Sequence, residues 1–135
     1  MRGLHTSMSL TTAALAGLAL ALPAQALEIE QLLGRWSGLD LDECVYADDS
    51  EGAPLNIRRE GDEIYVGNYG WLCSVPLAAW KKDGAFFIGE ARDCGMEGGD
   101  DTFDEVLVLG LNDKDQLLLT KDPAAEGLRR CPAAP

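Results

Sequence analysis

Histidine is almost missing from this chain of 135 residues, and its single copy, His5, stands in a segment that is not expected to stay. Met1 to His5 carries one basic residue, Arg2. Leu10 to Leu22 is an Ala/Leu run without charge, and Pro23 precedes the small-x-small triplet Ala24-Gln25-Ala26. A basic start, an apolar stretch of about a dozen residues and a small-residue site make a secretory signal peptide, too short to anchor in a bilayer. Cleavage is expected after Ala26, leaving residues 27–135 as a single domain of 109 residues with no histidine. A domain without histidine lacks the commonest general base near neutral pH and the commonest metal ligand. Ser37, Ser50 and Ser74 then have no relay partner, which excludes a Ser-His-Asp nucleophile.

Cations are scarce as well. Without the leader, 10 Lys and Arg face 23 Asp and Glu, a formal charge of -13. The pairs Arg58-Arg59 and Arg129-Arg130 are too small, on so acidic a domain, to hold a nucleic-acid backbone. The field repels anionic membranes and favours encounter with cationic proteins, such as a cationic hydrolase, at low salt. Acidity also serves solubility alone.

No C-x-x-C spacing occurs among Cys44, Cys73, Cys94 and Cys131, which argues against a redox motif or a zinc knuckle. Four cysteines in an exported chain read instead as two disulfides formed in an oxidising compartment. They matter because a domain of this size buries only about two-thirds of its unfolded surface.

The pattern along the chain predicts an all-β domain, a small antiparallel up-and-down meander closed as a barrel or sandwich, with a short N-terminal helix over Leu27–Leu33. Gly34-Arg35-Trp36-Ser37-Gly38 reads as a short strand. Leu55, Ile57, Ile64 and Val66 share one face of a hairpin turning at Gly61-Asp62, with Glu60 opposite Glu63 and Ile57 opposite Val66. A second hairpin is expected to turn at Asp83-Gly84, with Lys82 opposite Ala85 and Trp80 opposite Phe87. That register brings Cys73 opposite Cys94, at a position where facing side chains approach most closely. It also sets Pro76 against Ala91, so the strand should be an edge or a bulge there. Cys44 with Cys131 follows by elimination, and the other two connectivities stay open because spacing alone does not set them. A third hairpin joins Phe103–Leu109 to Gln116–Thr120 around Asn112-Asp113-Lys114-Asp115. Leu128–Cys131 can form a last strand, and Pro132–Pro135 should fray.

A short helix running into Gly34-Arg35-Trp36 and then a meander resembles the opening of lipocalin-like barrels, including the small exported inhibitors of metalloproteases. The chain is also similar to the four-cysteine periplasmic domains of Gram-negative bacteria. The paired Ser and Lys loop motifs of the bacterial C-type lysozyme inhibitors are absent. The resemblance implies a barrel and a periplasmic or secreted location, and carries no residue-level function.

Carboxylate pairs such as Asp42 with Glu43 or Asp100 with Asp101 arise by chance among so many acids, and a chain this small could hardly build a glycosidase cleft around them. The acidic stretches Asp48–Gly52, Glu97–Asp101 and Asn112–Asp115 lack EF-hand spacing, so they read as solvated loops and no metal or cofactor is expected. Trp36, Tyr69 and Trp71 are the candidate contacts for a partner or ligand, against burial as core fillers. The function expected is non-enzymatic, a periplasmic binding or inhibitor-like module. The alternatives are a lipocalin-like carrier of a small apolar ligand, or an envelope protein with no discrete site.

Overall fold

The computed structural model describes residues 28–133, so the expected leader lies outside the described residues. Among the described residues, nine strands run in chain order: β1 Gly34–Ser37, β2 Leu55–Glu60, β3 Glu63–Asn68, β4 Trp71–Pro76, β5 Lys81–Asp83, β6 Phe86–Met96, β7 Thr102–Leu111, β8 Leu117–Leu118 and β9 Arg129–Arg130. They form one antiparallel sheet in the order β8-β7-β6-β4-β3-β2-β1-β9, with β5 paired to β6 off this path. Leu117 and Leu128 exchange backbone hydrogen bonds of 2.8 Å, which brings the two edges together and leaves the sheet nearly closed as a barrel.

The first hairpin forms in the register that turn chemistry and alternation predict. Ile57 faces Val66, Arg58 faces Tyr65 and Glu60 faces Glu63 across a Gly61-Asp62 turn. Gly61 has φ +59°, a conformation that glycine reaches without a Cβ penalty. All four aliphatic residues of this pair are buried.

The second hairpin departs from expectation by two residues. Asp83 pairs with Phe86 and Lys82 with Phe87, so the turn is Gly84-Ala85 and Trp80 does not face Phe87. A Cβ on Gly89 would lie 2.7 Å from the Trp80 ring, so the missing side chain makes room for the indole there. A slip of two residues keeps every side chain on its face, so alternation could not detect it. Between β4 and β6 the register is nevertheless the expected one, with Trp71 opposite Met96 and Leu72 opposite Gly95. The two surplus residues are taken up in a 3-10 turn at Leu77–Ala79. Pro76 ends β4 opposite Glu63 of β3, not opposite Ala91.

Both disulfides have the expected partners, Cys44 with Cys131 and Cys73 with Cys94. The Cα separation of 4.3 Å at Cys73–Cys94 suits a close, non-hydrogen-bonded pair.

The N-terminal helix is replaced by a single 3-10 turn, Ile29–Leu32. So few residues cannot offset the cost of helix nucleation, and β1 begins two residues later. The turn is still structured: Glu28 N–H donates to Gln31 Oε1 at 2.7 Å, and Ile29 and Leu32 are buried. In the third hairpin β8 is shorter than expected. Its turn is organised by Asn112, whose Oδ1 accepts from the backbone N–H of Lys114 and Gln116 at 2.9 and 3.0 Å. The core joins Leu32 and Trp36 to inward residues of β2, β3, β4, β6, β7 and β8.

Candidate functional site

Outward-facing positions of β3, β4 and β6 make the floor of a groove of about 620 Å³. Tyr65 and Ser74 face each other across β3 and β4, and Leu72 stands beside Gly95. A Cβ on Gly95 would meet nothing within 4 Å, so this part of the floor is recessed. The walls come from three chain segments: the loop at Asp48-Asp49, the β3–β4 turn at Tyr69, and the end of β6 from Asp93 to Glu97.

Each wall is fixed by local chemistry. Asp48 accepts from Arg35 Nε and from Asn56 Nδ2, both at 2.9 Å. Gly70 N–H donates to Asn68 Oδ1 at 2.9 Å, and Glu97 N–H donates to Gly70 O at 3.1 Å, which ties the end of β6 to the β3–β4 turn. Asp93 sits in a break in the β6–β7 ladder between Ala91 and Cys94, with φ +57°. Aspartate tolerates this left-handed conformation better than most residues, and bulges of this kind redirect side chains.

Among the described residues, the lining carries four carboxylates, Asp48, Asp49, Asp93 and Glu97, and no Lys, Arg or His. Arg35 touches the site only by pairing with Asp48, and Arg58 lies 4.8 Å from the centre of the Tyr65 ring while paired with Glu60 at 3.0 Å. Tyr69 donates its phenol hydrogen bond to Glu97, which holds the phenol above its ordinary pKa. The charge of Glu97 acts in the same direction, as do Glu51 and Asp49 from further away. The arrangement suits a cation laid across aromatic faces and carboxylates.

Beside the groove, Arg35 donates to Cys44 O at 3.2 Å and to Tyr46 O, while Cys44 is bonded to Cys131. The loop is thus braced on both sides with its apolar tip turned outward, and Val45 is 83% exposed.

Of the three aromatic residues singled out in the sequence, the structure brings together two. Tyr69, 38% exposed, and the half-buried Trp71 line the groove. Trp36 is 1% exposed: its indole N–H donates to Leu32 O at 2.9 Å and the Arg130 guanidinium covers its ring at 4.2 Å. Asp48, Asp49 and Glu97 come from stretches read as solvated loops, and Asp93 and Tyr65 carried no local signal. Only the pairing of strands places them together. Among the described residues, no three Asp, Glu, Cys or His side chains converge as a metal site would need.

No family model, curated protein or solved structure matches the chain. The disulfides independently point to an oxidising, non-cytoplasmic location.

Proposed function

We propose that this protein is a non-enzymatic binding module of the periplasm or the extracellular space, which presents a stiff acidic groove to the cationic face of another protein. The observation that carries the reading is the groove lining itself, four carboxylates with Tyr65, Tyr69 and Trp71 and, among the described residues, no Lys, Arg or His. Exposed carboxylates contribute more to encounter rate and specificity than to affinity, so the aromatic floor and the neighbouring Val45 supply the apolar contact that slows dissociation. The absence of histidine among residues 28–133 fits a role that needs no proton transfer.

The test separates the groove from net charge. Binding to an immobilised cationic hydrolase, such as a lysozyme, is measured by interferometry across a salt series. The triple variant Asp49→Asn, Asp93→Asn, Glu97→Gln is expected to weaken binding at least about tenfold at low salt. The variant Asp113→Asn, Asp122→Asn, Glu126→Gln, with the same change in net charge away from the groove, should bind as the parent does. Equal losses in the two variants, or no binding by the parent protein, would defeat the proposal.

A further inference from the structure

We infer that the long connection between β1 and β2 carries a rigid apolar tip, Val45 and Tyr46, which enters a concave apolar pocket rimmed by Lys and Arg on the partner protein. The inference rests on the reading of a cationic protein partner and adds which feature of that partner is recognised. Trp36 of β1 pairs directly with Leu55 of β2, so a turn of about two to five residues would join the strands. Residues 38–54 stand there instead. Ordered connections of this length, with their ends side by side, are usually functional loops.

The loop is held by contacts that converge on its tip. The Arg35 guanidinium donates to Cys44 O at 3.2 Å, to Tyr46 O and to Asp48 Oδ1 at 2.9 Å, so the carbonyl groups on either side of Val45 are fixed by one side chain. The Cys44–Cys131 bridge ties the residue before Val45 to the end of the sheet. Beyond the tip, Ser50 donates its backbone N–H and its hydroxyl to Ala47 O at 3.0 and 2.6 Å. The 3-10 turn Asp42–Val45 is entered through Leu41 at φ +58°, a conformation that a bulky residue keeps only where surrounding contacts impose it.

None of this bracing buries the tip. Val45 is 83% exposed, more than any other large apolar side chain among the described residues, and Tyr46 is 48% exposed. A tip already set in one conformation has little ordering left to lose on binding. Asp40, Asp42, Glu43, Asp48 and Asp49 are exposed around it, and the charge of Arg35 is already paired with Asp48. A convex apolar point fits a hollow with apolar walls, and its acidic surround fits a basic rim. The same carboxylates oppose insertion into an anionic bilayer and contact between two copies of the chain. Asp48 also lines the groove, so the two surfaces are continuous and one partner can cover both.

Association and dissociation rates on immobilised lysozyme are measured by interferometry, at low and at physiological salt, for the parent protein, Val45→Glu, Val45→Ile and the groove triple variant. Val45→Glu adds a negative charge, so attraction by net charge alone predicts binding at least as tight as the parent's. An inserted tip predicts dissociation at least about tenfold faster at both salt levels, with association not slowed. Val45→Ile keeps an apolar branched tip and should dissociate as the parent does. Because Val45 is exposed, the urea midpoint of Val45→Glu should stay at that of the parent. Unchanged dissociation in Val45→Glu, with the groove variant weakened, would overturn the tip and leave the groove reading standing. Faster dissociation in Val45→Glu, with the groove variant unaffected, would keep the tip and defeat the groove. No binding by the parent protein would defeat both. Adsorption to phosphatidylcholine vesicles that is lost in Val45→Glu would assign the tip to a bilayer and overturn the inference.

Discussion

Where the first strand meets the last, Trp36 is sealed in the core and the nearby Cys44–Cys131 bridge reaches towards the surface, Cys44 being half-buried. Between β4 and β6 the same two ingredients are inverted: Cys73–Cys94 is buried, and the half-buried Trp71 borders the groove. The difference follows from position in the sheet. β1 and β9 are short strands at the closure, with only two paired positions between them, so a large side chain must fill the space and a covalent tie must hold the seam. β4 is already paired with β3 along its whole length, so a small buried bridge suffices, and the tryptophan at its start packs only partly against the core.

The largest expected effect tests that division at the bridges. Replacing both Cys44 and Cys131 by Ala releases a closure spanning 87 residues, against 21 for Cys73 and Cys94. Loop entropy then predicts losses of about 4.6 and about 3.3 kcal/mol, measured by urea denaturation. Equal losses would show that packing of the buried Cys73–Cys94 sulfurs offsets the advantage of the longer loop. Next comes the tryptophan pair. Trp36→Ala should cost about 3 to 5 kcal/mol, because it empties a sealed site and removes the ring face on which the Arg130 guanidinium lies. Trp71→Ala should cost about 1 to 2 kcal/mol, near the centre of the distribution for single substitutions. If Trp71→Ala proves as damaging as Trp36→Ala, the mouth of the barrel is a structural seam like the other and not a surface set aside for contact.

How much of this was legible beforehand differs between the hairpins for a physical reason. At Gly61-Asp62 the turn dipeptide and four alternating aliphatics constrain the register twice, and both constraints give the same answer. At Asp83-Gly84 the dipeptide fits two registers separated by two residues, and what decides is the indole of Trp80 lying over Gly89, a contact no local pattern announces. The Cys73–Cys94 pairing held despite that slip because the surplus residues are absorbed in the Leu77–Ala79 turn, after the cysteine strand has ended. The groove was legible only in part. Tyr69 and Trp71 are close together in sequence and were singled out, whereas Asp48, Asp93 and Glu97 meet them only once β3, β4 and β6 are side by side. Long-range pairing is what converts scattered acids into a site.

The smallest effect distinguishes the groove from an ordinary solvated face. Tyr69 donates to Glu97, so its phenol is held in the protonated form and titrates above the ordinary value of 10.0. A group whose pKa is raised on folding adds stability that is fully present below its unfolded pKa and fades as pH rises through the folded one. Stability should therefore decline at the alkaline end through this contact and be untouched by it near neutrality. Absorbance titration, with the curve of Tyr69→Phe subtracted, should give a midpoint above 10.0 for the parent protein and one shifted back towards 10.0 in Glu97→Gln. An unchanged midpoint in Glu97→Gln would mean that the hydrogen bond is not held in solution. The Tyr69 wall of the groove would then lack the preorganisation on which selective binding of a cation depends.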